Sequence, residues 1–172
     1  QFERKLYDYL SSNGLDCYHS AEIPGVDSSE IDLLVVNTDE DELWFIECKY
    51  LMPEILMTTA DGIERLNSKF DHKVFNESVE SFGPPTGQPF PDKVNEWLNL
   101  DTGDQFRWQQ DVNNDAKADA QVQQSWSELE PRMLVISNLT PSYVEKQGVQ
   151  FRTDMELVEM IEDESTVYSI KH

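Results

Sequence analysis

Glu30–Tyr50 reads EIDLLVVNTDEDELWFIECKY, two apolar runs around a polar, acidic turn. Ile31–Val36 and Leu43–Ile46 are rich in β-branched and aromatic residues, a pattern that predicts strand, turn, strand. Taking Asn37–Glu42 as the turn sets the register. Val36 then faces Leu43, and stepping outward along both strands brings Asp32 opposite Glu47. Directly opposed residues hold their Cβ atoms roughly 4.5–5.5 Å apart. Lys49 lies two residues past Glu47 and shares its face. Two carboxylates and one ammonium are therefore expected together, at one end of an otherwise apolar hairpin.

That grouping needs a cause. Like charges opposed across strands are destabilising. Buried carboxylates are costly unless they are paired or bind a cation. A hard divalent ion removes the conflict, since Mg²⁺ takes one or two carboxylates and completes its shell with water and phosphate oxygens. Read without a ligand, Asp32 and Glu47 are solvated strand ends and Lys49 is their counter-ion.

An Asp on one core strand, followed by Glu47-Cys48-Lys49 ending the next, resembles the PD-(D/E)xK nuclease superfamily. That family often carries a Glu early in its first helix, and Glu3 in QFERKLYDYL falls at that place. Pro24 stands apart from Asp32, so the literal Pro-Asp pair is absent. The motif occupies residues 30–50 of 172. The resemblance implies a restriction-endonuclease-like α/β fold, a mixed central sheet with an antiparallel hairpin core flanked by helices. It also implies a Mg²⁺- or Mn²⁺-dependent endonuclease that hydrolyses phosphodiester bonds, with DNA as the expected partner. Asp32, Glu47, Lys49 and Glu3 would be its catalytic set. Asp32, Glu47 and the backbone carbonyl of Cys48 would hold the metal, and Glu3 would contact a metal-bound water. Lys49 would orient the attacking water or neutralise developing charge. The alternative is a nuclease-like domain that only binds or assembles. Such domains often lack one of the three motif residues, and all three are present here.

Charge argues in the other direction. Asp+Glu number 34 against Lys+Arg 13, a formal net charge of −21. A nucleic-acid binder normally carries a basic footprint. Acidic surfaces serve halophilic proteins, and at about 1 M salt the Debye length falls to about 3 Å. Repulsion of a polyanion is then largely screened, so salt adaptation is the expectation. A partner domain or a homodimer could instead supply the affinity. No stretch approaches the roughly 18 apolar residues of a membrane span. No signal segment is visible, and a cytoplasmic location is expected. Cys17 and Cys48 lie in apolar runs and read as small hydrophobes rather than a disulfide. His19, His72 and His172 are scattered and form no zinc pattern.

The remaining chain reads as one domain over residues 1–172, with an insertion at 83–124. Phe2–Leu10 has helical spacing and stops at Ser11–Gly14. Leu15–Ile23 alternates as a strand, with His19 as a core or edge histidine. A helix is predicted from about Thr59 to Phe82, capped by Thr58 or Thr59. Arg65, Lys69 and Lys73 recur every fourth residue on it, as a solvated face or as a substrate-binding, phosphate-contacting stripe. Ser81–Pro91 reads as loop. Asp92–Leu100 reads as a short helix with Val94, Trp97 and Leu98 inward, and the polar stretch after it is anchored by Phe106 and Trp108. Trp108 and Trp126 read as buried anchors, with stacking on a nucleic-acid base as the alternative. Arg132–Ser137 is a buried strand. Thr140–Gly148 reads as a short helix, Val149–Arg152 as a strand, Asp154–Ile161 as a helix and Val167–Ile170 as an edge strand. Strand, helix, strand predicts a parallel crossover.

Overall fold

The computed structural model describes residues 1–52, 59–111 and 116–171. The acidic turn folds as its sequence dictates. β2 (Ile31–Asn37) and β3 (Glu42–Lys49) pair antiparallel, with Val36 opposite Leu43 and Leu33 opposite Ile46. Their apolar residues alternate between two cores. Leu34, Val36, Leu43 and Phe45 enter one, and Leu33, Val35, Trp44 and Ile46 enter the other. A strand buried on both sides reads as a continuous apolar run.

The rest of an eight-stranded mixed sheet grows from this ribbon in the order β5-β4-β1-β2-β3-β6-β8-β7. β1 (Asp16–Glu22) is antiparallel to β2. β6 (Glu130–Ser137) runs parallel to β3 over its whole length, from Glu42 opposite Glu130 to Lys49 opposite Ser137. β8 (Val149–Thr153) runs parallel to β6. Helices cover both faces. α1 (Phe2–Ser12) and α4 (Asp154–Lys171) put Leu6, Leu10, Leu157 and Ile161 against Trp44 and Ile46. α2 (Ala60–Phe75) and α3 (Phe90–Leu98) put Leu66, Phe70, Val74, Phe90, Val94 and Trp97 against Phe45 and Phe151. Leu98, expected inward, is exposed.

Several expected boundaries move, each for a local reason. α2 begins at its Thr59 cap, whose hydroxyl accepts the Gly62 N–H at 3.1 Å, and Thr58 lies outside the described residues. It ends at Phe75 rather than Phe82. Asn76 takes a left-handed conformation (φ 54°), and its amide donates to the Gly87 carbonyl at 2.8 Å. Within residues 83–124, α3 starts at Phe90. β4 (Gln105–Gln109) and β5 (Lys117–Gln121) then form a hairpin that extends the sheet beside β1. Phe106 and Trp126 are buried there and Trp108 is half-buried, all three packed on Tyr18.

Thr140–Gly148 is not a helix. Its polar groups bind α2 instead of one another. Ser142 N–H donates to Asn67 at 2.8 Å and the Tyr143 hydroxyl donates to Asp71 at 2.6 Å. The two-residue β7 (Glu145–Lys146) then turns through Gln147 and Gly148, both at positive φ, into β8. The parallel β6–β8 pair is therefore connected by this docked loop rather than by a crossover helix. The edge strand expected at Val167–Ile170 is the continuation of α4.

Candidate active site

The β2–β3 ladder ends at Leu33 opposite Ile46. One step further the register sets Asp32 against Glu47, and a side chain takes over from the backbone. Asp32 Oδ2 accepts the Cys48 N–H at 2.7 Å. This bond ties the two strand ends together and fixes the carboxylate beside the Glu47-Cys48-Lys49 segment. Glu47 is 5% exposed. Its Oε1 receives the Lys49 ammonium at 2.6 Å. Its Oε2 is buried and accepts no hydrogen bond among the described residues.

The electrostatics follow from that crowding. Burial, then the charges of Glu47 and Glu3, push Asp32 from an ordinary 3.8 up to about 8, against the opposing Cys48 N–H and Lys49. Burial works against the Lys49 ammonium, yet Glu47 and Asp32 outweigh it and raise its pKa. Lys49 is thus held charged and is unsuited to act as a base near neutrality. Burial, with the charges of Asp32, Glu3 and Glu47, raises the Cys48 thiol well above its ordinary value. It stays protonated and is no nucleophile. Cys17 and Cys48 are both unbridged, as their apolar settings predict.

Glu3 stands in the first turn of α1, where the helix dipole favours an anion. Its charge acts on Asp32, and its direct partner is His19, with Oε1 at 2.5 Å from Nε2. His19 is buried, as its alternating strand predicts, but it is bonded to a candidate catalytic residue, and its Nδ1 has no hydrogen-bond partner among the described residues. Nothing in the local sequence marks this pairing, which depends on how α1 lies across β1.

A second group missing from the sequence reading is Lys93 of α3, whose Nζ lies 3.8 Å from Glu47 Oε2. Lys93, Lys49, Lys73 and His72 line a cleft of about 500 Å³ that opens onto Glu47. Of the basic stripe on α2, Lys73 reaches this cleft, whereas Arg65 and Lys69 do not line it.

Among the described residues, no group of three or more His, Cys, Asp or Glu side chains is placed to hold a metal ion. The site fits a different donor set, two carboxylates with water and phosphate oxygens completing the shell, as Mg²⁺ prefers. Glu47 Oε2 accepts no hydrogen bond among the described residues, and Asp32 ionises only at a cost that a bound cation would remove. No helix among the described residues is long and apolar enough to cross a membrane. Compared with known protein families, curated proteins and solved structures, the chain matches none.

Proposed function

We propose that the chain is a metal-dependent nuclease of the PD-(D/E)xK kind, built on a restriction-endonuclease-like fold and hydrolysing phosphodiester bonds in DNA. The observation that carries this reading is Glu47: a buried carboxylate, one register step past the Leu33–Ile46 pair and so against Asp32, flanked by a charged Lys49, with one oxygen that accepts no hydrogen bond among the described residues. Support also comes from the order of elements, with a helix bearing Glu3 ahead of an antiparallel hairpin and a parallel strand beside it.

Asp32, Glu47 and the Cys48 carbonyl would hold the divalent ion. Bound there, the ion would supply an activated water and neutralise charge on the phosphate. The protein groups have separate tasks. Lys49, kept as an ammonium by Glu47 and Asp32, neutralises negative charge developing on the phosphate oxygens. The Asp32–Cys48 hydrogen bond keeps the carboxylates in register. Glu3, anchored by His19, orients water at the edge of the site. Lys73 and Lys93 hold phosphate in the adjoining cleft.

The deciding experiment incubates the protein with plasmid and branched DNA, with Mg²⁺, Mn²⁺ or EDTA, across a KCl series. Cleavage should require the divalent ion and disappear in Glu47→Gln and Lys49→Met. Cleavage that survives EDTA, or that persists in Glu47→Gln, sinks the proposal. Intact DNA under every condition, with metal still bound, favours the non-catalytic binding module.

A further inference from the structure

The surroundings of Glu47 Oε2 carry an inference that rests on the two-carboxylate reading above and goes past it. Oε1 is engaged by Lys49 at 2.6 Å. Oε2 faces Lys93 Nζ at 3.8 Å, beyond hydrogen-bond reach. Lys93 is carried there by α3, whose Phe90, Val94 and Trp97 are buried against the sheet. Its side chain is 18% exposed, so the ammonium is largely out of open water while lying beyond hydrogen-bond reach of Glu47. It is a loosely held cation beside the Glu47 oxygen that accepts no hydrogen bond among the described residues.

Coulomb attraction scales as charge over distance. At equal dielectric, a divalent ion at about 2.1 Å from Oε2 is attracted roughly 3.6 times as strongly as an ammonium at 3.8 Å. The same ammonium also lines the cleft shared with Lys49, Lys73 and His72. We propose that Lys93 is a resident counter-cation of Glu47 that yields Oε2 to a divalent ion and then serves as a phosphate ligand in that cleft. Lys93 thus balances the site when metal is scarce and is turned to the substrate when metal is present. It comes from the 83–124 segment, so that segment contributes directly to the site.

The test is calorimetric titration of Mn²⁺ into the full chain and into K93Q, K93R and K73Q, with a thermal melt of each to confirm folding. K93Q should bind Mn²⁺ roughly two- to fivefold tighter, the upper part of the range expected on removing a partly screened ion pair. K93R should bind it more weakly, because a guanidinium fork grips a carboxylate better than an ammonium does. K73Q, which lines the same cleft without pairing to Glu47, should stay within about twofold of the unmodified chain. In a second arm, inorganic phosphate is titrated in saturating Mg²⁺, and both K93Q and K73Q should bind it more weakly.

Mn²⁺ affinity unchanged or reduced in K93Q overturns the proposal while leaving the two-carboxylate site standing. If K93Q does not fold, an unchanged affinity in K93R overturns it equally. No Mn²⁺ binding by any of the proteins overturns the two-carboxylate reading and this proposal together. Phosphate binding by K93Q equal to that of the unmodified chain overturns the phosphate role.

Discussion

Asp32 links stability to pH. Its folded pKa of about 8 stands above the ordinary 3.8, so between those values the folded chain keeps a proton that the unfolded chain has released. Stability from this group is full below about pH 4 and is lost as pH rises through about 8. Asp32→Asn keeps the acceptor for Cys48 N–H and removes the charge. Without metal, the variant should equal or exceed the unmodified protein at pH 9, by about 1 kcal/mol for a relieved cross-strand repulsion. The gap should narrow towards pH 4. Mg²⁺ at a hundredfold excess over its Kd should stabilise the unmodified protein by about 2.7 kcal/mol and leave the variant unmoved. Paired melts at both pH values decide this, and a destabilised variant that still responds to metal would make Asp32 a structural residue. The two-residue period of a strand made Asp32, Glu47 and Lys49 legible in the sequence, since the turn alone fixed their register. Lys93 and His19 were not legible. Each meets its carboxylate through the packing of a helix on the sheet, α3 for Lys93 and α1 for the Glu3 that His19 pairs with, and no local pattern encodes that docking.

Among the elements, α2 divides its basic stripe by position. Arg65, Lys69 and Lys73 share a helical spacing, but of the three it is Lys73, in the last turn before the left-handed cap at Asn76, that lines the cleft. Replacing Lys73 by Gln should weaken DNA binding several-fold, as the loss of one phosphate contact does. The Arg65→Gln/Lys69→Gln pair should have a smaller effect, with divalent-ion affinity unchanged in both. Fluorescence anisotropy at fixed KCl measures this, and equal losses in the two proteins would restore the whole stripe as the contact surface. Elements set by unbroken apolar periodicity, such as β2, β3 and β6, were readable. Thr140–Gly148 was not, because Pro141 and Gly148 suggest helix ends, while Asn67 and Asp71 of a remote helix capture the segment's polar groups. The end of α4 is helix where its sequence suggests a strand, because Val167–Ile170 is a short run whose pattern suits either form.

For the whole molecule the governing quantity is a formal net charge of −21. The ion pairs counter it only locally, for instance Lys146 with Asp71 and Glu77 at 2.7 Å each, and Arg132 with Glu42 at 2.8 Å. Self-repulsion between the remaining acids opposes the compact state and is screened by salt. The melting temperature should therefore rise steadily from dilute buffer to molar KCl. A flat or falling curve would contradict salt adaptation. The parallel pairing of β3 with β6 has a consequence of another kind, in time rather than in energy. Glu42 meets Glu130, and Leu51 meets Asn138 across 87 residues, whereas β2 meets β3 through a short turn. Closing so long a loop comes late, since its entropy is lost before its contacts form. During synthesis the β1–β3 ribbon can assemble early, but β3 remains an open edge until β6 has been made. The carboxylates would then be assembled before the wall that buries them, and the newborn chain would pass through a stage with its acidic strand edge uncovered. Pulsed hydrogen exchange during refolding would detect that stage as protection in β2 ahead of β6.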